Sequence, residues 1–102
     1  MPSFLFSYRV PADHQRSPET SAHWAEWFQG LGSSVTTLGN PVAEAAEVGN
    51  CGPGIRLSGY SVITADDHDA ALAMAKACPA VEFGGGVEIG RITEVPREAR
   101  PS

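Results

Sequence analysis

Three consecutive stretches decide the fold. They are Leu57-Ser58-Gly59-Tyr60-Ser61-Val62-Ile63-Thr64-Ala65, then Asp66-Asp67-His68-Asp69-Ala70-Ala71-Leu72-Ala73-Met74-Ala75-Lys76-Ala77-Cys78-Pro79, then Gly84-Gly85-Gly86-Val87-Glu88-Ile89. The first, bracketed by polar and glycine residues and rich in aromatic and β-branched types, predicts a strand over 57–65. In the second, Asp66 and Asp69 form an Asp-x-x-Asp version of the capping box at a helix start. Ala71, Met74, Ala75 and Cys78 then share one helical face, with Leu72 adjoining, and Pro79 stops the helix. The third is a tight glycine turn into a last strand, expected from Gly86 to Val95. Val87 and Ile89 alternate there, and a phase shift at Ile92 suggests a bulge.

Working outward, Phe4, Phe6, Tyr8 and Val10 recur with period two, which predicts a half-buried strand ended by Pro11. Ser17-Pro18-Glu19 announces a helix. The serine hydroxyl accepts from an orphan amide, proline suits the first position, and the acid faces the positive end of the dipole. Trp24, Phe28 and Leu31 keep helical spacing, with Ala25 and Trp27 widening the stripe. The helix is expected over 18–31, ending at Gly32 as a left-handed cap. Residues 34–38 read as a short second strand broken by Gly39-Asn40-Pro41. Residues 41–56 have no clear period and read as a loop, partly extended over 43–48.

The order is βαββαβ: an α+β, ferredoxin-like unit with a four-stranded antiparallel sheet. Two helices cover one sheet face. Apolar residues occupy both strand phases, as with Leu5 beside Phe4 and Phe6, so the second face also calls for cover. A homodimer through the sheet faces supplies it most simply.

A chain of 102 residues with 42% apolar residues is one domain, assigned to 1–95, with a flexible tail over 96–102. Charged residues are only 19%, below the norm of about 25%. The net charge is −5 and Lys76 is the sole lysine, so no basic stripe exists to neutralise phosphates. Nucleic acid is set aside as a partner, and acidic membrane surfaces with it. No apolar run approaches the ~20 residues of a membrane span. The N-terminus alternates like a strand instead of resembling a signal peptide. Cys51 and Cys78 are far apart, which fits a reduced, cytoplasmic protein.

His23 is the leading candidate for chemistry, since imidazole exchanges a proton near neutrality and this one sits beside two tryptophans. Glu88 and Tyr8 are its nominated partners. Tyr8, Asn40, Tyr60 and Glu88 are expected to give polar points to one ligand cleft, with Arg9 or Arg91 as the counter-ion of Glu88. Trp24, Trp27 and Phe28 form a helical aromatic stripe, of which at least two belong to a core or interface. His14 lies in a polar loop and His68 in a first helical turn, and the three histidines share no metal-ligand spacing, so no metal is expected. Gly84-Gly85-Gly86 precedes a strand, not a helix N-terminus, so it is no phosphate cradle. No cofactor is expected. Cys51 reads as an incidental loop cysteine and Cys78 as core.

The pattern resembles the YCII-related (YciI-like) domain. The residues that carry the likeness are Gly59-Tyr60 with Ile63, then Asp67, Asp69, Ala71, Ala75, Cys78 and Pro79, then Gly84-Gly85 and Val87-Glu88-Ile89. Gly39 and Pro41 match the turn after the second strand, and the helix carrying His23 matches more loosely. The resemblance implies a ferredoxin-like unit that assembles into a dimeric α+β barrel. Many relatives carry Asp-Gly-Pro-Phe in the central loop, and their aspartate has been viewed as a partner for a histidine. Here the comparable residues are Asn50-Cys51-Gly52-Pro53-Gly54, so a His–Asp dyad does not carry over. The reading is a non-catalytic or accessory dimer that binds a small organic molecule. The alternative is a small enzyme of proton-transfer chemistry, of lyase, isomerase or dehydrochlorinase type, with His23 as acid/base.

Overall fold

A computed structural model describes residues 1–52 and 54–94. The first strand, β1, spans Ser3–Pro11. Its alternation is realised: Phe4 and Phe6 are fully buried and Tyr8 and Val10 nearly so, while Leu5 stays 41% exposed. Helix α1 spans Pro18–Leu31. Ser17 accepts from the Thr20 amide at 3.2 Å while Thr20 Oγ1 accepts from the Ser17 amide at 2.9 Å, closing a reciprocal cap. Gly32 ends the helix at φ 56°, but its ψ of −128° is not left-handed helical. A 3₁₀ turn over Gly32–Ser34 follows.

Strand β2 is only Val35–Thr37, and β3 runs over Ile55–Thr64. Helix α2 spans His68–Ala75. Its cap is Asp67 and not Asp66, with Asp67 Oδ1 accepting from the Ala70 amide at 2.8 Å. Asp66 leads the expected pattern by one residue, and the chain uses the carboxylate that lies three before an unpaired amide. The helix ends before Pro79. Proline instead opens a further one-turn helix, α3, over Pro79–Glu82, because its missing N–H is harmless at a first position. Strand β4 is Gly86–Arg91, shorter than expected, though the Ile92 amide still donates to the Ser3 carbonyl. Val95 and the tail over 96–102 lie outside the described residues.

All pairings are antiparallel, in the order β2-β3-β1-β4. This is the ferredoxin-like α+β fold. Register irregularities fall at Tyr8/Arg9 and Val35/Thr37, not at Ile92. Strand β4, which carries Glu88, is an edge of the sheet, because β1 pairs with both β3 and β4. The Gly84–Gly86 turn forms as expected. Gly85 donates to the Ala80 carbonyl at 2.8 Å, and any Cβ there would strike the Arg9 carbonyl oxygen.

The core lies between the sheet and the helices. Phe4, Phe6, Ile63, Ala71 and Cys78 are fully buried, and Trp27 joins them at 9% exposure. Burying one such aromatic or branched side chain contributes about 1.5–3 kcal/mol. The indole N–H of Trp27 donates to the Met74 carbonyl at 3.2 Å, tying α1 to α2. Trp27 is the buried member of the helical stripe, whereas Ala25 faces solvent. On the far face Leu5 and its cross-strand partner Val62 stay partly exposed among the described residues. No helix among the described residues is long and apolar enough to cross a membrane.

Candidate functional site

A cavity of about 300 Å³ opens between the first half of α1 and the β1–β3 part of the sheet. Its apolar wall is Tyr8, Trp24, Phe28 and Leu38. Helical spacing explains the α1 side, since Trp24 and Phe28 are one turn apart on the face turned to Tyr8. The rings of Trp24 and Phe28 stack with centroids 5.9 Å apart, and Tyr8 meets Trp24 at 4.8 Å and 70°. Opposite Tyr8 on β3 is Gly59, which has no side chain to fill the space.

Position 8 faces the helices because β1 alternates, and Tyr8 is 3% exposed. Its hydroxyl oxygen is buried and has no hydrogen-bond partner. Ser61 lies beside it and spends its own hydroxyl proton on the Leu38 carbonyl at 2.6 Å, so it offers the phenol oxygen no donor. Burial drives the Tyr8 ionisation well above the ordinary tyrosine range, so the phenol is a neutral donor.

The Leu38–Pro41 segment walls the outer edge. Gly39 holds φ 75°, where a Cβ would collide with the Tyr60 carbonyl oxygen, so the segment lies directly on β3. Asn40 Nδ2 donates to the Tyr60 hydroxyl at 3.2 Å, and the Tyr60 amide donates back to the Asn40 carbonyl at 3.3 Å. Pro41 bridges Gly59, and the Val42 amide donates to the Ser58 carbonyl at 2.9 Å. The far end of the cavity is bordered by His14, Arg16 and Arg56. Arg56 Nη2 donates to the His14 carbonyl at 3.2 Å, and the His14 ring stacks on Phe83 at 5.1 Å and 16°.

Of the residues nominated from sequence, Tyr8, Asn40 and Tyr60 line this cavity, and Glu88 and His23 do not. His23 is 3.2 Å from Glu82 Oε2 through Nδ1, with side chains 40% and 58% exposed. It therefore meets a carboxylate, but neither Glu88 nor Tyr8. Glu88 lies on the other sheet face, 3.7 Å from Arg9, and is 74% exposed. Register explains the separation: Glu88 is opposite Ser7, one residue out of phase with Tyr8. Arg9 and Glu88, with the exposed Cys51, border only a shallow open depression.

Sequence reasoning missed Ser58, Ser61, His14, Arg16 and Arg56 as cavity residues. Ser61 carried a signal in hindsight, a small polar residue in the phase of buried Ile63, whereas Ser58 is the extra residue at the Tyr8/Arg9 register shift and alternation could not place it. Cys78 is buried as expected, and burial raises its thiol from 9.0 to about 11, so it is no nucleophile near neutrality. No group of three or more metal-ligand side chains occurs among the described residues.

No protein-family profile matches the chain, and no curated protein matches it in sequence. Its fold is similar to that of 5-chloro-2-hydroxyhydroquinone dehydrochlorinase from Burkholderia phenoliruptrix, solved in complex with 2,5-dihydroxybenzoquinone. The TM-score is 0.64 over 93% of this chain and 96% of that one, at 14% sequence identity, a likeness of fold.

Proposed function

We propose that this chain binds a small aromatic molecule in the α1–sheet cavity. The observation that carries the reading is the cavity itself. At about 300 Å³ it sits at the small end of ligand sites, and its walls are aromatic with a few convergent polar groups. A single substituted ring suits that volume. The unsatisfied Tyr8 hydroxyl supports the reading, because a buried donor without a partner costs about 1–3 kcal/mol that a ligand acceptor at that wall would recover. The fold likeness to a protein solved with 2,5-dihydroxybenzoquinone points to the same size of ligand.

The proposed assembly is a homodimer of YCII-related type, paired through the open sheet face at Leu5 and Val62. The partly exposed apolar side chains there support it, as does the sequence resemblance over residues 57–95. Proton-transfer catalysis with His23 as acid/base is the second reading. Its support is the likeness to a dehydrochlorinase and the His23–Glu82 pair. The binding reading stands ahead, because His23 is not among the residues lining the cavity.

Thermal unfolding with added 2,5-dihydroxybenzoquinone tests the binding reading. A ligand at a hundredfold excess over its Kd stabilises by about 2.7 kcal/mol. For a domain of this size the midpoint then rises on the order of ten degrees. An unchanged midpoint for this compound and for simple phenols at millimolar concentration contradicts it.

A further inference from the structure

We infer that the cavity selects an anionic ligand: an aromatic acid whose carboxylate meets Arg16 and Arg56. The inference rests on the binding reading above and adds the ligand's charge.

The cavity's charge is opposite to that of the protein. The chain carries 12 acidic and 7 basic residues. Yet two arginines line the cavity and no aspartate or glutamate does. Among the described residues, neither Arg16 nor Arg56 pairs with a carboxylate; the ion pairs there are Arg9–Glu88 and His23–Glu82. Arg56 is half-buried and commits one N–H to the His14 carbonyl, which fixes the guanidinium while leaving further donors. Arginine's planar fork suits a carboxylate better than a point charge does. The first turns of α1 add Thr20 and Ser21 to the same wall, at the positive end of the helix dipole.

The two arginines are gathered at one end. Arg56 is opposite Val10 on β1, and Arg16 lies in the loop that follows that strand. Tyr8 is two residues back along β1 on the same face, a separation of about 7 Å by strand rise. A one-ring acid spans that distance, with its carboxylate at the arginines, its ring against Trp24 and Phe28, and a polar substituent toward Tyr8. The ring walls give little charge preference, so selection for the anion falls to the arginine end.

Trp24 in the wall gives the readout. Tryptophan emission is titrated with 4-hydroxybenzoate and with its neutral isostere 4-hydroxybenzamide, for the wild type, Arg16→Gln, and Arg16→Gln with Arg56→Gln. The wild type is expected to prefer the benzoate by about tenfold or more, the worth of one charge-assisted hydrogen bond. The preference should shrink in Arg16→Gln, a change at an exposed side chain, and fall below about threefold in the double variant. It should also narrow as salt is raised. Equal binding of acid and amide by the wild type overturns the charge inference and leaves the binding reading standing. A preference that survives in both variants overturns it too. If neither compound binds, the binding reading fails and takes this inference with it.

Discussion

The ring of Tyr8 meets that of Trp24 at 70° with centroids 4.8 Å apart, and both border the cavity. This pair joins β1, one of the two central strands, to the sheet-facing side of α1. Edge-to-face pairs contribute about 0.5–1.5 kcal/mol beyond their buried area. Replacing Trp24 with alanine should cost about 2–4 kcal/mol, since Trp24 also packs on Phe28 and Trp27. Urea unfolding measures the loss; a cost below 1 kcal/mol contradicts the packing described.

Tyr8→Phe should behave differently. The hydroxyl makes no hydrogen bond, so its removal should leave stability unchanged or raise it by up to about 1 kcal/mol. Affinity for a phenolic ligand should nevertheless fall severalfold. A destabilisation of 1.5 kcal/mol or more would mean that the hydroxyl has a partner in the folded chain.

Gly39→Ala combines a φ of 75° with a clash against the Tyr60 carbonyl. The expected cost is 2 kcal/mol or more, with loss of ligand binding, because the segment carrying Asn40 can no longer lie on β3. By contrast, His23→Ala removes one exposed ion pair and should cost less than about 1 kcal/mol. Binding should survive it. If His23→Ala abolishes binding or an activity, the proton-transfer reading takes precedence.

Stability should fall at high pH. Burial raises the Cys78 thiol to about 11 in the folded chain against 9.0 when exposed, and it raises Tyr8 as well. Between pH 9 and 11 the unfolded state therefore binds fewer protons than the folded one. The thiol's contribution is complete below pH 9 and is lost as pH climbs toward 11. For Cys78 alone the loss is on the order of 2–3 kcal/mol. Urea midpoints at pH 8 and pH 10.5 should differ more in the wild type than in Cys78→Ala; equal slopes contradict the assignment.

Much of the fold was legible in the sequence because the relevant signals are local. Alternation in β1, the Ser17 cap and the Gly84–Gly86 turn all specify their own geometry. Helix α3 was missed because Pro79 breaks one helix and starts another with the same ring. The placement of Glu88 was missed because phase relative to a neighbouring strand depends on register, which no single strand encodes. For the same reason Tyr8, Asn40 and Tyr60 could be nominated together while the arginine end could not. Arg16 and Arg56 are forty residues apart and border one cavity because β1–β3 pairing sets Arg56 opposite Val10.

The open sheet face offers a separate test. Val62→Lys places a charge beside Leu5 at the proposed dimer contact. Sedimentation should show the wild type as a dimer at micromolar concentration and the variant as a folded monomer. A monomeric wild type contradicts the assembly.

Ligand binding in the α1–sheet cavity is tested by amide and indole shifts, followed as 4-hydroxybenzoate is added to the isotope-labelled chain. Saturable shifts are expected, centred on Tyr8, Trp24, Phe28, Asn40 and Tyr60. Shifts confined to the Arg9–Glu88 face or to His23, or no saturable shift at all, would contradict it.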